Sequence, residues 1–156
     1  MKKIKIKANS NDPKFTKRIY RQIVNYKQNN GYDSGLSNVL EVTVKNLKRV
    51  TAKGSVTLEE RCYLSFDRHG ILIFHINQNK GVTDVSIINK VHIDKIKIGH
   101  LLGLNVIIVL KDKVLSKFNK KLRIKIIVPS DKNSLLARNS RNLVMILNDE
   151  HYVFDK

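Results

Sequence analysis

The sequence predicts an α+β fold: an N-terminal pair of helices, an antiparallel six- to seven-stranded meander rolled into an open barrel, and a capping C-terminal helix. Three observations carry that expectation. The 156 residues include 18 Ile and 15 Val but only 3 Ala, a balance that favours strands over a helix bundle. Apolar residues recur at helical spacing only near the two ends of the chain. Between residues 55 and 128 they alternate in short runs separated by turn residues rather than helices, which disfavours a parallel doubly wound sheet. With 42% hydrophobic residues in a one-domain length, the chain can bury a substantial core.

Taken in order, Ile4 and Ile6 alternate with Lys3, Lys5 and Lys7, the pattern of a short edge strand or a basic arm. Asp12 followed by Pro13 is a helix start, with a capping carboxylate and a proline at the first helical position. Phe15, Ile19, Ile23 and Tyr26 then share one face, and Asn29, Asn30 and Gly31 end a helix over 13–29. The next segment reads two ways. Leu40, Val42 and Val44 alternate as in a strand. A helical template nevertheless gathers Leu36, Val39, Leu40, Thr43, Val44, Leu47 and Val50 within roughly 140°, and a helix over 37–51 is favoured, with Gly54 as its stop.

From residue 55 the period is two. Val56, Leu58, Cys62, Leu64 and Phe66 alternate, Asp67-Arg68-His69-Gly70 has turn chemistry, and 71–76 and 85–88 follow as strands. Val91, Ile93, Ile96 and Ile98 continue with a one-residue slip near Asp94, which predicts a bulge or strand break. Residues 104–110 and 122–128 are the two clearest strands. Ser130 or Asp131 caps a last helix in which Leu135, Leu136, Leu143, Ile146 and Leu147 share a face. This divides the chain into a basic helical segment (1–53), a β-rich domain with its C-terminal helix (54–147) and a tail (148–156).

The runs Cys62-Tyr63-Leu64-Ser65-Phe66 and Gly70-Ile71-Leu72-Ile73-Phe74 resemble the early hairpin of bacterial pleckstrin-homology-like and GRAM-like domains. Ile93, Asp94 and Ile96 resemble an element that those domains carry between strands. The resemblance spans residues 55–147. It implies an open barrel capped by one helix and a role in binding rather than catalysis, and it assigns no ligand residues.

Chemistry-bearing residues are few. The single cysteine, Cys62, excludes an intramolecular disulfide and any multi-cysteine metal site within one chain; its strand setting reads as a buried structural thiol. His69, His75, His92, His100 and His151 show no i, i+4 pair and read as turn or strand-surface residues rather than metal ligands. Glu59 and Glu60, adjacent on a strand, point to opposite faces and form no catalytic pair. No glycine-rich phosphate loop is present, and nothing calls for a cofactor. Met1-Lys2-Lys3 begins like a signal peptide, but Lys5, Lys7, Asn9 and Asn11 interrupt any apolar core. The longest apolar run, 101–110, falls short of the ~18 residues that span a bilayer. A cytoplasmic protein is expected.

Charge is the strongest functional signal. Thirty Lys+Arg against 13 Asp+Glu give a net +17, concentrated at Lys14, Lys17, Arg18 and Arg21 on the first helix, at Lys45, Lys48 and Arg49, and at Lys117, Lys120, Lys121 and Arg123. Such stripes fit a polyanion, DNA or RNA, bound by counterion release; the 22 Lys against 8 Arg favour backbone contact over base reading. Tyr20, Tyr26 and Tyr32 lie near enough to the first stripe to stack on bases. The expected function is therefore a non-enzymatic, polyanion-binding protein. A scaffold docking a protein partner or an anionic membrane surface is the alternative. A small basic ribonuclease is the third, and it would need His69, His75 or His92 to converge with Lys or Arg in one cleft.

Overall fold

Residues 13–100, 103–111 and 117–147 are described by the computed structural model. Helix α1 (Pro13–Asn29) forms where the apolar spacing places it. Ile19 and Ile23 are fully buried, and Phe15, Tyr20 and Tyr26 pack along the same face. It ends at Gly31, whose φ of 77° is the left-handed conformation that glycine adopts without steric cost. Asp12 and the Lys–Ile alternation of the first residues lie outside the described region.

The favoured helix over 37–51 is instead strand β1 (Val39–Thr51), so one helix, not a pair, precedes the sheet. A bulge explains why its sequence mimics a helix. Val44 lies opposite Glu60 and Leu47 opposite Leu58, so β1 carries one extra residue there and two inward side chains stand three apart. Leu40, Val44 and Leu47 then repeat at intervals of four and three, as on a helix face. Burial of both faces of this central strand decides the outcome: Val39, Leu40, Glu41 and Val42 are all buried, and pairing on both sides outweighs helix propensity.

Strands β2 (Gly54–Asp67), β3 (Gly70–Asn77), β4 (Gly81–Asn89), β5 (Ile93–Gly99), β6 (Asn105–Leu110) and β7 (Lys121–Ile126) complete one antiparallel seven-stranded sheet in the order β4-β3-β2-β1-β7-β6-β5. It is not a simple meander, because the first and last strands pair. Consecutive strands β4 and β5 therefore lie at opposite edges, joined only by the 3-10 turn Lys90–His92. A flat seven-stranded sheet would separate its edges by roughly 29 Å, whereas that link reaches at most about 14 Å. The sheet must curl until its edges approach, and it remains open between them. The expected slip at Asp94 is present as a register shift between Ile93 and Lys95.

The inner face holds the main core, including Phe66, Ile73, Ile108, Ile126, Leu143 and Leu147. On the outer face α1 covers part of the sheet, its Ile19 and Ile23 meeting Tyr63, Leu72 and Phe74. The C-terminal helix is two short ones, α2 (Leu135–Arg141) and α3 (Leu143–Leu147). Ser134, rather than Ser130 or Asp131, caps the first, its Oγ accepting from the Ala137 amide at 3.2 Å. The break at Asn142 sends Leu136 to the outer cluster and Leu143 and Leu147 to the inner one, so the five apolar residues do not share a face. Among the described residues, no helix is long and apolar enough to cross a membrane.

Candidate functional site

The eleven basic residues singled out in the sequence do not converge on one surface. Lys14, Lys17, Arg18 and Arg21 are exposed on α1, but Arg18 donates to the Asn79 carbonyl at 3.2 Å. Next to it, Gln22 accepts from the Val82 amide at 2.8 Å, so this face helps fasten α1 to the β3–β4 turn. The nearby tyrosines pack against one another and against the sheet. Tyr26 stacks on Tyr32 and meets Phe74 edge-on, and Tyr20 meets Tyr63 edge-on.

On the β1–β2 hairpin, Lys45 pairs with Glu59 at 3.1 Å and Arg49 with Glu60 at 3.5 Å. Lys48 and Lys117 line a cavity described below. Lys120 precedes β7 and accepts from the Leu110 amide through its carbonyl.

Lys121 and Arg123 fall in a different setting. Leu122, Ile124 and Ile126 face the core, so Lys121, Arg123 and Lys125 must face outward. Register carries this row across the sheet: Arg123 lies opposite Ile107, itself opposite Lys97; Lys121 lies opposite Val109, itself opposite Lys95; Lys125 stands between Asn105 and Thr43. Lys97, Lys121, Arg123 and Lys125 are exposed. None of these outward positions on β5, β6 and β7 is a carboxylate. The helices pack elsewhere, α1 against β4 and α2 against β1. Lys95, Lys97 and Lys125 escaped the sequence reading, although the alternation in Lys121–Ile126 and Ile93–Gly99 holds the signal once those strands are paired.

A second feature is a cavity of about 730 Å³ bordered by residues 47–49 of β1, the end of β3, the middle of β4 including Asp84, and Lys117 with Phe118. Glu60, His75 and Ser86 line it. His75 Nε2 lies 2.7 Å from Ser86 Oγ, and Nδ1 lies 3.1 Å from Glu60 Oε1. Cys62 Sγ approaches the same Nδ1 at 4.0 Å. Burial and the Glu60 charge push its thiol pKa up to about 12, so without a metal ion the thiol stays protonated at neutral pH. His75 is thus neither a turn nor a surface residue; its side chain is only 12% exposed. It is also the one of the three candidate histidines that meets cations in a cleft, with Lys48, Arg49 and Lys117 around the same cavity. His69 is exposed beside the β2–β3 turn and His92 sits in the 3-10 turn. Comparison with protein-family models, curated proteins and solved structures finds no match.

Proposed function

We propose that the protein binds a polyanion, most simply a nucleic-acid backbone, on the outer face of β5, β6 and β7. The observation that carries this reading is the exposed quartet Lys97, Lys121, Arg123 and Lys125 on paired strands, whose one carboxylate, Asp94, stands at the register shift that opens β5. Unlike the cations of the β1–β2 hairpin, no ion pair to a carboxylate engages these four among the described residues. A sheet holds its side chains at fixed spacing, about 7 Å along a strand and 5 Å between strands, so little order need be gained on binding. Three of the four are lysines, whose point charges suit phosphates without selecting a base sequence.

Fluorescence anisotropy with single-stranded and duplex oligonucleotides tests the reading. If four phosphates are contacted, log K should fall against log salt with a slope of roughly −3 to −4. The variant K97E/R123E/K125E should lose at least tenfold in affinity and flatten that slope, while reversal of Lys14, Lys17, Arg18 and Arg21 should leave both nearly unchanged. The opposite ranking would move the interface to α1. The curled sheet with a helix after its last strand also suits the pleckstrin-homology-like docking scaffold implied by the resemblance. Sedimentation with anionic but not neutral vesicles, without oligonucleotide binding, would favour that reading instead.

A further inference from the structure

We propose that Glu60, Cys62 and His75 form a binding site for a single divalent transition metal, best matched by Zn²⁺. Glu60 and Cys62 are two apart on β2, so both face inward, and His75 on β3 lies directly across from Cys62. Their Oε1, Sγ and Nδ1 atoms all lie within 4.8 Å of one another, with Nδ1 3.1 Å from Oε1 and 4.0 Å from Sγ. Tetrahedral zinc, with a Zn–S bond of about 2.3 Å and Zn–N and Zn–O bonds near 2.0 Å, needs its ligand atoms roughly 3.3–3.6 Å apart. The two separations to Nδ1 bracket that range and the third lies within 4.8 Å, so rotation of the three side chains closes the geometry while the sheet holds the backbone still.

The surroundings match as well. A histidine that ligates through Nδ1 carries its proton on Nε2, and Ser86 Oγ stands 2.7 Å from that nitrogen, placed to accept it and fix the ring. The second Glu60 oxygen is buried without a hydrogen bond; the nearest charge to it is Arg49 Nη2 at 3.5 Å, leaving Oε1 for the metal. The sulfur donor argues against Mg²⁺ and Ca²⁺, which take oxygen ligands, and a mixed N, S, O set suits zinc. Three protein ligands leave a fourth position. Cys62 is fully buried and closes one side, whereas Glu60 and His75 line the cavity with Lys48, Arg49 and Lys117. The open position faces that space, where Asp84, opposite His75, stands against the three cations, and suits water. A relay of serine, histidine and glutamate would explain Ser86, His75 and Glu60, but not the thiol converging on the same ring nitrogen.

The test uses the full chain, stripped with chelator and titrated with Co²⁺, then with Zn²⁺ in competition. One equivalent of Co²⁺ should bind and give both tetrahedral visible bands and a near-ultraviolet thiolate-to-metal band, which Zn²⁺ abolishes. Cys62→Ala should remove the thiolate band, and His75→Gln and Glu60→Gln should each weaken Zn²⁺ at least tenfold. Ser86→Ala, which removes only the ring's partner, should weaken it by roughly ten- to a hundredfold. X-ray absorption at the zinc edge of the unmutated protein, expected to show one sulfur among light-atom neighbours, keeps the test independent of whether the variants fold. Absence of binding, a zinc shell without sulfur, or binding unchanged in Cys62→Ala and His75→Gln would overturn the proposal. So would labelling of Ser86 by a fluorophosphonate in metal-free protein, which would make the cluster a nucleophile relay.

Discussion

Lys27 is fully buried at the end of α1, where its ammonium donates to the Gly35 carbonyl at 2.7 Å and to Asn38 Oδ1 at 3.1 Å. Burial lowers its pKa, opposed by the charges of Asp67 and Asp33. The folded chain then holds fewer protons here than the unfolded chain, and stability rises with pH as the ordinary value of 10.5 is approached. Cys62, Tyr20 and Tyr63 act in the opposite sense. Burial raises all three, Cys62 and Tyr20 to about 12, with the Glu60 charge adding to Cys62 and the Glu41 charge to both tyrosines. The folded state keeps protons that the unfolded state releases, so their contribution falls above 9.0 for the thiol and above 10.0 for the phenols. The thiol acts first. In urea melts between pH 8 and 11, the stability difference between the parent and Cys62→Ala should shrink with rising pH, by about 1.4 kcal/mol per unit once the unfolded thiol ionises. A pH-independent difference would show that the thiol is not held protonated by the fold.

Among the elements, β1 depends on a single side chain at its bulge. Past Val44 its ladder with β7 stops, and Asn46 takes over. Its amide donates to the Lys121 carbonyl at 2.6 Å, its Oδ1 accepts from the Arg123 amide at 2.8 Å, and its own carbonyl accepts from Asn119 at 2.8 Å. Asn46→Ala should lower stability by about 1–3 kcal/mol, measured by chemical denaturation, because two backbone groups of β7 lose their partners. Asn46→Asp should recover part of it, keeping the acceptor for the Arg123 amide. The same bulge hid β1 in the sequence, whereas β7 was legible because it alternates without interruption and β6 because it is a short continuous apolar run. The C-terminal break was illegible for a related reason: Asn139, buried in α2, spends its amide on the carbonyls of Leu36 and Val39 at 2.8 Å each. Those partners lie about a hundred residues away, beyond any local pattern.

Across the whole molecule the charge is uneven. A net +17 makes the folded state self-repelling at low ionic strength, most of all on the face carrying Lys97, Lys121, Arg123 and Lys125. Thermal stability should therefore rise as sodium chloride is added up to about 0.15 M, where the screening length nears 8 Å. The K97E/R123E/K125E variant should show a shallower rise than the parent, because the reversed charges relieve that repulsion without salt. Equal slopes would mean that the face is not a locus of repulsion. The candidate interface and the metal cluster lie on opposite faces of the sheet, so charge reversal outside should leave Co²⁺ binding untouched.

By itself the sequence determined the class of fold, the first helix, most of the strands and a basic surface, because each follows from local composition or a short period. Pairing β1 with β7, and the curl that a three-residue link then requires, was decided only by the tertiary structure, since both rest on contacts between distant segments. The candidate sites divide the same way. Lysines were visible as charge, but which of them share a face depends on register across three strands. Glu60, Cys62 and His75 are unremarkable as single letters and meet only because β2 and β3 pair in one register: a shift of one residue would turn His75 to the opposite face of the sheet.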